Sequence, residues 1–176
     1  MRFVPAMAEL IRAVRPFLDL QPRKGTAMKE KILASEGDER TYILVLDEGD
    51  EAFACISAFA EKNRISAASV TAIGAFREAT IAFFDYSSKQ YREIPVPTQS
   101  EVLSMIGDIA VGDEGKASLH LHVVLGLEDG NTRGGHFLKG YVRPTLEVVV
   151  RETPVYLRRR KNKELGIALI DLSSDV

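Results

Sequence analysis

Ser118-Leu119-His120-Leu121-His122-Val123-Val124-Leu125 repeats with a period of two. Successive side chains of an extended strand point to opposite faces. Leu119, Leu121, Val123 and Leu125 therefore line one face, and Ser118, His120, His122 and Val124 line the other. The apolar face takes the core, so both imidazoles project the same way. Their Cα atoms lie roughly 6 to 7 Å apart, a gap that two histidine side chains can close onto one ion.

The chain's remaining histidine, His136, lies beyond a turn signal at Asp129-Gly130. A strand folding back about Gly130 sets His136 against Val124 and diagonal to His122. The connection from Glu128 to Arg133 exceeds a two-residue hairpin turn, which leaves the register open by a residue or two. Gly134-Gly135 removes side chains just before His136, where the backbone must bend or come close to a ligand. Three neutral imidazoles on one patch suit a divalent transition metal, Zn²⁺ first, with a fourth position left for water or a small anion. The competing reading is a histidine group on a half-buried sheet face, bonded to hydroxyls and carbonyls with no metal. Three histidines converging by independent spacing arguments favour a ligand.

Further strands are expected at 42–46, 69–73, 79–86, 91–94, 102–110, 118–127, 136–142 and 145–151, with turns at Ser87-Ser88-Lys89, Gly112-Asp113-Glu114-Gly115 and Glu128-Asp129-Gly130-Asn131. The run 167–172 is a possible closing strand. One helix follows Asp47-Glu48-Gly49-Asp50: Asp50 is the expected N-cap, and Phe53, Ile56, Phe59 and Ala60 form its apolar stripe. One helix against many strands means α+β with a mainly antiparallel sheet, curled or sandwich-like. Cys55 falls in or beside the helix as a packing residue. In the strand of residues 145–150, Glu147 lies opposite Leu146, Val148 and Val150. There it is a candidate to orient a histidine or hold a metal-bound water, against a plainer structural role. Asp108 and Glu101 are isolated and read as surface residues.

At 176 residues and 45% hydrophobic, 27% charged composition, the chain fits one domain with a proper core. No apolar run approaches the roughly eighteen residues a spanning helix needs, so no membrane association is expected. A single cysteine forms no internal disulfide, which fits a reducing, cytoplasmic setting. Net charge is −2 overall, but it is +3 over residues 1–27, −7 over 28–142 and +2 over 143–176. Residues 1–27 read as an N-terminal extension, a short amphipathic helix through Ala8, Ile11, Val14, Phe17 and Leu18 followed by a loop, and 28–173 as the domain. The basic run from Arg158 to Lys163 has no interleaved aromatics and reads as solvated surface. Nucleophile elbows, phosphate-binding glycine loops, zinc-protease helices and Cys-x-x-Cys pairs are all missing from the sequence.

Leu119-His120-Leu121-His122, then Asp129-Gly130, then Gly134-Gly135-His136-Phe137-Leu138-Lys139-Gly140 and Thr145-Leu146-Glu147-Val148-Val149 resemble the plants-and-prokaryotes-conserved, or PPC, domain. The resemblance runs from about Met28 to Leu172. It takes in Ile73-Gly74-Ala75-Phe76-Arg77-Glu78-Ala79 and Leu103-Ser104-Met105-Ile106-Gly107, and leaves residues 1–27 outside. It implies a compact α+β subunit assembling as a homotrimer. In plants the domain sits behind AT-hook motifs in nuclear DNA-binding proteins. Stand-alone prokaryotic members carry a DNA-binding label by analogy, and some resemble metal binders through histidines matching His120, His122 and His136. The Arg-Gly-Arg-Pro core of an AT-hook is absent from this sequence, and Pro22-Arg23-Lys24-Gly25 is a faint echo of it.

The expectation is thus a homotrimer holding a divalent metal or small anionic ligand at His120, His122 and His136, with Gly134, Gly135 and Glu147 beside them, in a binding or regulatory role rather than an enzymatic one. The alternatives are a zinc-dependent hydratase or hydrolase on the same three histidines, with Glu147 as proton carrier, and a DNA-associated regulator using the basic segments.

Overall fold

In a computed structural model, which describes residues 28–173, the chain is mostly β-sheet with one helix among the described residues. The strands are β1 (Lys29–Glu36), β2 (Glu39–Asp47), β3 (Ala67–Asp85), β4 (Gln90–Val96), β5 (Ser100–Val111), β6 (Ala117–Gly126), β7 (Thr132–Glu152), β8 (Arg158–Lys161) and β9 (Ala168–Asp171), with α1 (Ala52–Asn63) between β2 and β3. Every strand pair is antiparallel except a single parallel bridge between Val111 of β5 and Arg158 of β8. The N-terminal helix expected before Met28 lies outside the described residues.

Two pairs of expected strands are each one long, bent strand. Residues 69–73 and 79–86 belong to β3, of 19 residues, and 136–142 and 145–151 belong to β7, of 21. Gly74 and Pro144, which lie between the expected halves, stand inside continuous strands. At Gly74 φ is +148°, and a Cβ there would lie 2.4 Å from the Thr145 carbonyl oxygen, so only glycine lets β3 cross β7 so closely. Beyond this bend each strand changes neighbours. The first half of β3 lies between β5 and β7, and its second half between β4 and β7. The pairings β5–β6, β6–β7, β7–β3 and β3–β5 close a ring, so the sheet is curled.

Inside the ring pack Met105, Ile109, Leu121, Leu125 and Phe137, none exposed. Phe137 stacks on Phe76 at 5.5 Å. The alternation in β6 thus sends Leu121, Val123 and Leu125 inward and His120 and His122 to the outer face. Helix α1 packs Ile56, Phe59 and Ala60 against the sheet, with Tyr42 and Phe59 edge to face at 5.0 Å. Its N-cap is Glu51 rather than Asp50. The Glu51 carboxylate accepts from the Phe53 and Ala54 amides at 3.0 and 2.8 Å and from Gly140 N at 3.1 Å, tying the helix to β7. Asp50 instead closes the preceding turn by accepting from Asp47 N at 3.0 Å. Strand β1, which no alternation announced, is exposed along its length and pairs with β2, its outer edge blunted by Lys29, Glu30 and Lys31. The run 167–172 does pair: β9 forms a hairpin with β8.

Gly107 joins this frame to the histidine strand. A Cβ at this position would lie 1.9 Å from the carbonyl oxygen of His120. Gly107→Ala must therefore push β6 away from β5. The expected cost is about 3 kcal/mol, the upper range for overpacking, read as a lowered denaturant midpoint with an unchanged slope.

Candidate metal centre

The loop between β6 and β7 sets the meeting of the three histidines. Leu127 N donates to Asn131 O at 2.8 Å and Gly130 N to Leu127 O at 2.9 Å, while the Asp129 carboxylate accepts from Asn131 N and Nδ2, each at 2.9 Å. The loop is centred on Asp129, one residue earlier than the turn signal implied. His136 consequently pairs directly with His122, not with Val124, which faces Gly134.

The three rings form a near-equilateral triangle, with centroids 5.1, 5.1 and 5.3 Å apart. One nitrogen from each ring lies within 4.8 Å of the others. The Nε2 atoms of His120 and His122 approach to 3.2 Å. Two nitrogens bound to one tetrahedral zinc at its usual bond lengths lie about 3.3 to 3.4 Å apart, so this pair has the separation such an ion requires. Nδ1 of His136 is buried and lacks a hydrogen-bond partner among the described residues. Its ring stacks on Tyr91 of β4 at 4.7 Å and 27°. The donor set, three nitrogens and no carboxylate, fits a borderline-soft divalent ion such as zinc.

Burial favours the neutral form of two of these rings, His120 and His136. Burial, aided by His120, His122 and Arg159, lowers the His136 pKa to about 4. The His120 pKa is lowered as well, by burial first and then by Arg159 and His122, against a raising influence of Asp108. Neutral imidazole is the form that binds a metal. A shallow groove runs alongside, lined by Ser69, Thr71, Ile106, Gly107, His120 and His122.

Other expected residues fall differently. Gly134 and Gly135 serve strand packing: a Cβ on Gly135 would lie 2.6 Å from the Ala82 carbonyl oxygen of β3, and one on Gly134 3.2 Å from that of Val123. They allow β7 to lie between β3 and β6 and so bring in His136. Glu147 does not join the patch. It sits in the far half of β7, paired with Val45 and Ile73, eleven residues beyond His136 and exposed. Asp108, read as an isolated surface residue, pairs across strands with His120 and bonds to Arg159. Arg159 in turn is 3% exposed, although it stands in a run read as solvated. Tyr91 and Gly107 stand within expected strands, but nothing in the sequence distinguishes either from ordinary strand residues or marks it as belonging to the site. Cys55 lies half-buried in α1, its thiol raised to about 11 chiefly by burial and further by Asp50 and Glu51, which removes it as a nucleophile.

Residues 33–154 match the Plants and Prokaryotes Conserved (PCC) domain. Among solved structures, a "putative DNA-binding protein" from Bacteroides thetaiotaomicron is 27% identical with a TM-score of 0.76, the match covering 85% of this chain and 100% of that one. A plant- and prokaryote-conserved protein from Pyrococcus horikoshii is 31% identical with a TM-score of 0.71, covering 80% and 99%. A metal-containing protein from Archaeoglobus fulgidus is 28% identical with a TM-score of 0.69, covering 83% and 99%. None of the curated proteins matches. With the family pattern spanning most of its length and the fold shared along whole relatives, the chain belongs to the plants-and-prokaryotes-conserved domain family.

Proposed function

We propose that residues 28–173 form the subunit of a cytoplasmic homotrimer that holds a divalent metal, Zn²⁺ first, on His120, His122 and His136, and through it a small anionic ligand. The role is binding or regulatory. The observation that carries this reading is the convergence of three imidazoles with two Nε2 atoms 3.2 Å apart. The metal-containing Archaeoglobus fulgidus relative supports it. Three neutral ligands leave the full charge of a divalent ion in place, and an ion so bound offers Lewis acidity to a water or anion at its open position. The residues of this chain hold it and shape its access.

Self-association is supported by the outer sheet face. Ile73, Leu103 and Ile106 are each more than half exposed, and Val124 is exposed beside them. Thr71, Ile106 and His122 form one row across β3, β5 and β6, so this apolar surface reaches the metal patch.

The hydratase or hydrolase alternative loses its proton carrier, since Glu147 lies far along β7. The DNA alternative rests on the label of several relatives and on the basic segments. Arg159 is buried on Asp108, and Arg160 pairs with Asp171 at 3.0 Å, so the run from Arg158 to Lys163 offers fewer free cations than its sequence suggests. Among the described residues, no helix is long and apolar enough to cross a membrane.

Elemental analysis of the purified protein beside a His120→Ala/His122→Ala variant tests the metal. One ion per subunit is expected in the first and none in the second, with a trimer by light scattering in both. A variant that keeps its metal, or a wild type that takes none from a Zn²⁺-supplemented buffer, removes the proposal. For duplex DNA, fluorescence anisotropy in physiological salt is expected to show no binding; affinity there that falls steeply with added salt restores the DNA reading.

The lowered His136 pKa has a defined sign in stability. Its folded value lies near 4, below the usual 6.5 of an unfolded histidine. Between those values the unfolded chain binds a proton that the folded one refuses, so stability falls with falling pH across this window and levels off below it. In thermal melts of chelator-treated protein, His136→Gln is expected to lose less Tm than wild type between pH 7 and pH 5.

A further inference from the structure

Beside His120, on the neighbouring strand, lies a charged contact that includes none of the three histidines. β5 places Asp108 between Ser69 of β3 and His120 of β6. From the C-terminal hairpin, β8 inserts Arg159 into the same spot. Its Nη1 donates to the Ser118 carbonyl oxygen at 2.7 Å and to Ser118 Oγ at 3.3 Å, and its Nη2 donates to Asp108 Oδ1. Arg159 Nε is buried and has no partner among the described residues. A buried charge persists where it is paired and hydrogen-bonded, and Asp108 supplies the pairing.

The geometry is specific to a guanidinium. One arm grips the backbone two residues before His120, and the other grips the side chain directly across from His120. A planar fork reaches both at once, whereas an ammonium reaches them as a single point charge. The contact therefore fixes β6 against β5 at His120 itself, where Gly107 has already removed the side chain that would separate the two strands.

We infer that Arg159, acting through Ser118 and Asp108, is a positioning residue of the three-histidine centre, and that the C-terminal hairpin of β8 and β9 is thereby part of the site. This rests on the reading of the patch as a metal centre. Groups hydrogen-bonded to metal ligands commonly contribute 10- to 100-fold in metal affinity; Arg159 bonds Ser118 and Asp108 rather than a histidine, so it acts through the β6 backbone and the lower end of that range is expected.

The test compares the full-length protein with Arg159→Met, Arg159→Lys and Asp108→Asn. Each is first checked for native circular dichroism and for its melting temperature without metal, then titrated with Co²⁺ at pH 7 while the visible d–d absorption is followed. Wild type is expected to give the intense bands of a four-coordinate ion. Arg159→Met and Asp108→Asn are expected to bind about 10-fold more weakly with altered bands. Arg159→Lys is expected to recover melting temperature without recovering the spectrum, which separates positioning from mere stability. Folded variants that all show wild-type affinity and spectrum overturn the inference. If Arg159→Met does not fold, Arg159→Lys and Asp108→Asn decide the matter.

A metal-free arm separates the two readings. In chelated protein, ring-to-ring nuclear Overhauser effects between His120 and His122 are expected in wild type and lost in Arg159→Lys and Asp108→Asn. If wild type binds no Co²⁺ while these effects still depend on Arg159, the metal reading fails and the positioning role stands. If they persist unchanged in both variants, the positioning role is overturned whatever the metal does.

Discussion

Burial of one face of β6 is the constraint on which the rest depends. Leu121, Val123 and Leu125 fill the ring closed by β3, β5, β6 and β7, and a strand that buries every second residue has no choice about the others. His120 and His122 are outward because their neighbours are inward. A slip of one residue would move both imidazoles into the core and the leucines into water, costing apolar burial at several positions together. The same logic applies across the loop, where Phe137, fully buried against Phe76, sends His136 outward. The patch is thus held by core packing. Its side chains need few bonds of their own, which leaves their nitrogens free for an ion.

Much of this was legible in the chain. The period-two alternation named the face, the apolar stripe named the helix, and the return of a third histidine after a turn named the patch. What escaped lay in contacts whose two partners are far apart in sequence. Asp108 and Arg159 are separated by 51 residues, and each looks like ordinary surface charge until β8 is laid beside β5. The turn signal Asp129-Gly130 does mark a reversal, but its centre depends on which side chain closes the loop. That is why His136 meets His122 and not Val124.

Glycine and proline misled in an instructive way. They ordinarily punctuate strands, and Gly74 and Pro144 fall in the gaps between the strands expected at 69–73 and 79–86 and at 136–142 and 145–151. In a tightly curled sheet the same residues let a strand bend and exchange partners while its pairing continues. β3 and β7 run to 19 and 21 residues because a ring this small cannot be closed by straight strands. The functional weight expected of Gly134 and Gly135 moves accordingly. They admit the backbones of β3 and β6, and the ligand position is created by the histidine those backbones carry.

Glu147 shows why facing alone is a weak criterion for a site. It does point away from Leu146, Val148 and Val150, as the alternation requires, but it does so beyond the bend that β7 makes, beside β2. Its removal changes the chemistry available. The carboxylate that pairs across strands with His120 is that of Asp108, and it is already bonded to the buried guanidinium of Arg159, so neither Glu147 nor Asp108 stands beside the three imidazoles as a free base. The exposed apolar surface of Ile106 and Val124 adjoins the patch, because the alternation that turns His122 outward turns these neighbours outward as well.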